Sequence, residues 1–335
     1  MTNLNPITPQ LIDACRRKLN YLRVSITDRC NLRCIYCVPR DRIPKLAHDD
    51  ILRYEEILRI VRTGVRLGIT KVRVTGGEPL VRKGVFDFLS ELTRMEGIED
   101  VSLTTNGMTL ATHMDQIVVA GINRINVSLD SLEREKFAAI TGRDGFDRVW
   151  AGIEKAMEKG LSPIKINVVA MAGVNDNELI DMARLTIDRP LHVRFIEFMP
   201  MGTSGMDVGC QMLTPEIQAA LSPLGHLEPV ENGRIDGPAR RFRLPGAAGE
   251  IGFISAISHH FCSTCNRLRL TANGQLRPCL MSDVQVDLKG PLRSGATDAD
   301  IENLFFEAIA KKPSEHHLSR RGPAQVSQQM CAIGG

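Results

Sequence analysis

The sequence predicts an α/β fold organised on a parallel sheet, followed by a smaller C-terminal extension. Three observations carry this expectation. Between residues 21 and 197, short β-branched runs alternate six times with segments of helical periodicity. After Met199 that rhythm gives way to Gly-, Pro- and Arg-rich stretches and a hairpin signature. Six of the nine cysteines fall into two groups of three, one in each part. Six βα repeats imply right-handed crossovers and a sheet that is either doubly wound or closed into an incomplete barrel.

The expected strands cover residues 21–26, 71–75, 101–105, 124–129, 164–170 and 191–197. Helices are expected over 54–67, 86–95, 111–120, 146–159 and 178–187; in the first, Ile57, Leu58, Val61 and Val65 recur at helical spacing. Beyond residue 200, 202–209 and 232–249 read as loops and 251–257 as a strand. Residues 267–271 and 275–277 read as a hairpin around the Asn273-Gly274 turn. A helix is expected over 299–311 with Asp298 as N-cap. The division is residues 1–20 as an N-terminal segment, 21–200 as the βα unit and 201–335 as the extension.

Composition narrows the function. Apolar residues make up 43% and charged residues 24%, values of a chain that buries a core. The net charge of +3 does not predict bulk nucleic-acid or membrane binding. No apolar run reaches the roughly 18 residues of a membrane helix, so a cytoplasmic location is expected, where thiols stay reduced. The cysteines then read as metal ligands or reactive thiols.

The first group, Cys30, Cys34 and Cys37, is spaced C-x3-C-x2-C; the second, Cys262, Cys265 and Cys279, is C-x2-C with a third cysteine further on. Structural zinc closes its shell with four protein ligands, and an iron–sulfur cubane also takes four. Three thiolates leave one position for an exogenous ligand. His259 and His260 precede the second group, so a Cys/His zinc site is the alternative there. Cys15, Cys210 and Cys331 receive no role.

The unusual residues fall where expected strands end, the functional rim of a βα barrel. The first triad follows the first strand, Gly76-Gly77-Glu78-Pro79 the second, and Thr104-Thr105-Asn106-Gly107 closes the third. Ser128 and Asp130 end the fourth, Lys165 lies on the fifth, and Met199-Pro200 follows the sixth. Taken singly, the Gly and Asn motifs are turn chemistry; together with the cysteines they describe one mouth.

C-x3-C-x2-C after a first strand, with Tyr36 before its last cysteine and then GGEP, resembles the radical S-adenosylmethionine (SAM) superfamily. The resemblance implies an incomplete (β/α)6 radical-SAM barrel with a C-terminal extension carrying a second Fe–S cluster. It implies a [4Fe–4S] cluster on Cys30, Cys34 and Cys37 whose free iron chelates S-adenosyl-L-methionine. Further along, LRVSITDRCN from Leu22, FCSTCNRLRLT from Phe261, RPCL from Arg277 and the final IGG are similar to the GTP 3′,8-cyclase family, which opens molybdenum cofactor biosynthesis.

That narrower resemblance implies a second [4Fe–4S] cluster on Cys262, Cys265 and Cys279 that holds the purine of GTP. Hydrogen abstraction from C3′ and attack on C8 then yield (8S)-3′,8-cyclo-7,8-dihydroguanosine 5′-triphosphate. It assigns SAM contacts to Tyr36, Gly77, Ser128 and Met199, and GTP contacts to Arg23, Arg73, Thr104, Lys165, Arg267, Leu268 and Arg269. Arg267, Arg269, Gly334 and Gly335 carry catalytic roles. The partners it implies are a reductant of unknown identity, a second copy in a homodimer, and cyclic pyranopterin monophosphate synthase as recipient of the product.

Residue chemistry agrees with much of this. A triphosphate needs converging cations, and guanidinium forks match its oxygens. Arg267 and Arg269 are two apart on an expected strand and so share a face. Lys165, between Ile164 and Ile166, would sit in a barrel interior, where an unpaired ammonium is costly. The competing readings are a peptide-modifying radical SAM enzyme with an auxiliary cluster, and a zinc-bound nucleic-acid module with Arg267, Arg269 and Arg277 on its basic face. With aromatics at 4%, the second lacks the stacking residues such modules use.

Overall fold

The computed structural model describes residues 10–37, 45–202, 206, 208–231, 233, 237–316, 318 and 326–334. The βα unit runs β1 (Tyr21–Ser25), α1 (Tyr54–Arg66), β2 (Lys71–Thr75), α2 (Val85–Thr93), β3 (Asp100–Thr105) and α3 (Leu110–Val119). It continues with β4 (Arg124–Ser128), α4 (Arg134–Thr141), α5 (Phe146–Glu158), β5 (Ile164–Ala170), α6 (Leu179–Asp188) and β6 (Leu191–Glu197). The extension holds α7 (Thr214–Leu221), β7 (Glu228–Val230), β8 (Arg240–Arg243) and β9 (Glu250–Ile254), then β10 (Arg267–Leu270), β11 (Gln275–Arg277) and β12 (Val286–Asp287). Helices α8 (Lys289–Arg293), α9 (Asp298–Ala310) and α10 (Met330–Ile333) complete it.

Strands β1 to β6 are parallel and lie side by side in chain order. No reversal of order divides them, which excludes the doubly wound alternative. The extension is not a separate layer. Its β10 pairs in parallel with β1, and its β9 pairs in parallel with β6, so both edges of the six-stranded unit are continued by later chain. Antiparallel β11–β12 and β8–β7 finish the two ends of one sheet.

The strands alternate strictly. Leu22, Val24, Val72, Val74, Leu103, Ile125, Val127, Ile166 and Val193 face one way and join the buried core with the helices. Helix α1 answers with Ile57, Leu58, Ile60 and Val61, all buried. The opposite, inner face carries Arg23, Arg73, Asn126, Lys165, Asn167 and Arg194. A filled barrel places branched apolar side chains there; this one places cations and amides.

Three local expectations are corrected. Helix α9 is capped by Thr297, whose Oγ1 accepts from Asp300 N at 3.2 Å, because the Asp298 carboxylate is turned to Arg59 and Arg66 on α1. The loop expected over 232–249 contains β8, a polar strand legible only through its partner β9. Helix α4 was not expected: its pattern REKFAAIT buries only Phe137, Ile140 and Thr141.

Candidate active site

Both cysteine triads line one cavity of about 300 Å³ along the inner face of the sheet, the first beyond the C-terminal end of β1 and the second at the N-terminal end of the parallel strand β10. The first sits on the loop after β1. Cys30 Sγ accepts from Leu32 N at 3.4 Å and from Asn106 Nδ2 at 3.6 Å, so the Asn106 turn after β3 braces the cysteine loop. Asn106 Nδ2 also reaches Asn31 Oδ1 at 2.7 Å. Gly76 and Gly77 let the loop after β2 press against residues 27–29: Gly77 N donates to Thr27 O at 2.7 Å and Glu78 N to Arg29 O at 2.8 Å. A Cβ on Gly77 would lie 2.4 Å from Arg29 O, so no larger residue fits.

Glu78 is buried and ties β2 to β3 by accepting from Asn106 N, Leu80 N and Thr105 Oγ1; burial pushes it up to about 7 against those hydrogen bonds. Tyr36 Oη donates to Asp130 Oδ2 at 2.7 Å, pinning its ring to the end of β4, and burial raises Asp130 to about 6. Burial likewise raises Cys30 and Cys34. Buried thiols of this kind lose their protons to a bound metal group.

The second triad hangs on the hairpin beside β1. Cys262 and Cys265 precede β10, and Cys279 follows β11. Burial raises Cys262. Cys265 is lowered instead, because Arg267 and then Lys312 outweigh its burial.

Between the triads lies a cationic wall fixed by strand register. Arg269, Arg23 and Arg73 form one row across β10, β1 and β2; Arg267, Tyr21 and Lys71 form the next. Arg269 is buried, and burial with neighbouring Arg267 lowers it to about 10. The hydroxyls of Tyr21 and Thr104 and Nε of Arg267 are buried without a hydrogen-bond partner among the described residues. Row geometry, clustered cations and orphaned donors fit an anionic ligand.

Of the sequence-predicted residues, all six cysteines and Tyr36, Gly77, Ser128, Met199, Arg23, Arg73, Thr104, Arg267 and Arg269 line this cavity. Lys165 lines a small adjoining pocket that shares Arg194 and Gly237 with it. Leu268 points to the opposite side of β10, into the apolar core, and can offer a ligand only its backbone. Gly334 is held at the rim: its carbonyl accepts from Arg269 Nη1 at 3.0 Å. Its φ of +70° suits glycine, and a Cβ there would meet Ser25 Cβ at 2.8 Å. Gly335 lies outside the described residues.

Sequence models agree on two parts of the chain: the Radical SAM superfamily over residues 24–186 and Molybdenum Cofactor Synthesis C over residues 191–318. GTP 3′,8-cyclase of Moorella thermoacetica is 47% identical over 325 residues, 96% of this chain and 99% of the relative. That of Heliobacterium modesticaldum is 49% identical over 327 residues, 97% of this chain and 100% of the relative. The chain belongs to the GTP 3′,8-cyclase family. The fold is also that of Streptococcus suis SuiB bound to S-adenosylmethionine, at a TM-score of 0.57 and 14% identity over 90% of this chain and 76% of SuiB.

For a chain of this family, sequence reasoning missed several residues at the site. Tyr21 stands two before Arg23 on the same face of β1 and lines the cavity, a period-2 signal open to view. Arg194 sits on β6, donating to Asn126 Oδ1 and Asn167 Oδ1 at 2.5 and 2.6 Å. Cys331, given no role, is buried on α10 and lines the same cavity as Cys37. Nothing local announces that placement.

Proposed function

We propose that this chain carries out the family's reaction: it converts GTP, with S-adenosyl-L-methionine, to (8S)-3′,8-cyclo-7,8-dihydroguanosine 5′-triphosphate. The observation that carries this is the single cavity in which two thiol triads face a row of strand-borne arginines. The donor set fits: three thiols per group, with amide donors on Cys30 and a cation beside Cys265. Cys30, Cys34 and Cys37 would hold one [4Fe–4S] cluster and Cys262, Cys265 and Cys279 a second. With SAM bound beside it, the first would supply the one electron that SAM-dependent hydrogen abstraction requires.

The chain's own residues do the rest. Tyr36, Gly77, Ser128 and Met199 wall the SAM side. Arg23, Arg73, Arg267 and Arg269 neutralise the triphosphate and hold the ribose in one orientation, which converts reaction into a near-unimolecular event. Thr104 offers an unused hydroxyl at the same wall, and Lys165 adds charge from the adjoining pocket. Arg269 holds Gly334, and with it the C-terminal tail, against the site. The reading includes an external reductant, a homodimer in the cytoplasm, and onward transfer of the product to cyclic pyranopterin monophosphate synthase.

Anaerobically reconstituted protein is expected to be brown, to hold about eight irons per chain, four per cubane, and to consume GTP with SAM and dithionite. Unchanged GTP with SAM cleaved overturns the substrate assignment; zinc at the second triad overturns the two-cluster reading.

A further inference from the structure

Lys312 follows α9 and is buried, with 6% of its surface exposed. An ammonium has three hydrogens to place, and three acceptors surround Nζ: Pro278 O at 2.6 Å, Arg267 O at 2.9 Å and Cys265 Sγ at 3.6 Å. Pro278 immediately precedes Cys279, and Arg267 lies two residues after Cys265. One side chain therefore ties together both arms of the second triad and touches one of its sulfurs.

A second cation holds Lys312 in that position. Arg17 is buried, with Nε on Asp13 Oδ2 at 2.6 Å. Its Nη1 donates to Cys262 O at 2.7 Å and Ser314 O at 2.9 Å, and its Nη2 to Pro313 O at 2.6 Å. The guanidinium thus links Cys262 to the two residues directly after Lys312. Carbonyl oxygens alone could be satisfied by water. The contact with sulfur is different, because hydrogen bonds to cluster sulfurs and local charge set the reduction potential of an iron–sulfur group.

We propose that Lys312 is a positioning residue of the second triad, fixing Cys265 against Cys279 and raising the reduction potential of the iron–sulfur group bound there. The proposal rests on the two-cluster reading above. A neutral side chain of similar length would keep the packing and remove the charge, while arginine would restore the charge.

The test uses the full chain, reconstituted anaerobically in a Cys30→Ser, Cys34→Ser, Cys37→Ser background so that the second cluster alone gives a signal. Iron content and an EPR-monitored redox titration are compared for Lys312, Lys312→Met and Lys312→Arg. Lys312→Met is expected to weaken one-electron reduction at least tenfold, roughly 59 mV at one electron, with Lys312→Arg recovering most of it. Equal potentials in Lys312 and a loaded Lys312→Met overturn the proposal. If Lys312→Met does not load, Lys312→Arg decides: regained iron supports the proposal, and iron still absent overturns it. Absence of iron from the triple-serine parent itself sinks the cluster reading, and is thereby distinguished from failure of the lysine.

Discussion

Arg269 joins two parts of the site that no strand connects, the cationic row across β10, β1 and β2 and the carbonyl of Gly334. Charge-assisted hydrogen bonds of this kind are worth about 1.5–3 kcal/mol, so Arg269→Ala is expected to lower kcat/KM for GTP by about tenfold to a hundredfold. Lysine at this position keeps charge but loses the fork, and should recover only part; steady-state kinetics of both variants checks this. Gly77 makes a different demand. Its missing Cβ is filled by Arg29 O, one residue before Cys30. Gly77→Ala must push that backbone away, so the first triad is expected to lose its iron, which on the proposed two-cluster reading halves the iron per chain. Unchanged iron content in a folded Gly77→Ala protein refutes this.

At the level of elements, Glu56 on α1 is one tie between the βα unit and α8. Arg293 bonds both its oxygens, at 2.8 and 3.0 Å, and the Arg53 amide adds a third bond at 2.7 Å. Those bonds, Arg293 first, hold the carboxyl down at about 2 despite burial. A depressed folded pKa stabilises above the unfolded value near 4.5 and loses that contribution as pH falls toward 2. Glu56→Gln is therefore expected to lower the melting temperature at pH 7, with the gap to the parent closing as pH drops below 4.5. A gap that stays constant with pH would show that Glu56 acts by packing alone. The strands of the βα unit were legible because β-branched runs bounded by turn residues leave few alternatives. β7 and β8 were not, since Glu228-Pro229-Val230 and Arg240–Arg243 gain their structure from edge pairing rather than from their own pattern. The cysteines, GGEP and the paired arginines could be read from spacing. Lys312 could not, because its partners lie some 34 to 47 residues away and its neighbourhood reads as an ordinary helix end.

Across the whole molecule, one sheet carries both triads. Cutting the chain at residue 200 would expose the free edges of β1 and β6, which β10 and β9 cover in the intact protein. Open apolar edges recruit other chains, so residues 1–200 alone are expected to aggregate rather than to behave as a monodisperse barrel. Size-exclusion chromatography of that fragment, beside the intact protein, checks this; a soluble fragment that binds four irons would count against it.

The pairing of β1 with β10 also sets a schedule. Asn20, just before β1, bonds Asn266, 246 positions later. A nascent chain therefore carries its first strand half-finished until most of its length has left the ribosome. Contacts of such separation fold late and leave sticky intermediates. Closure of the sheet then waits for the extension: β1 gains its second neighbour only once β10 has been made.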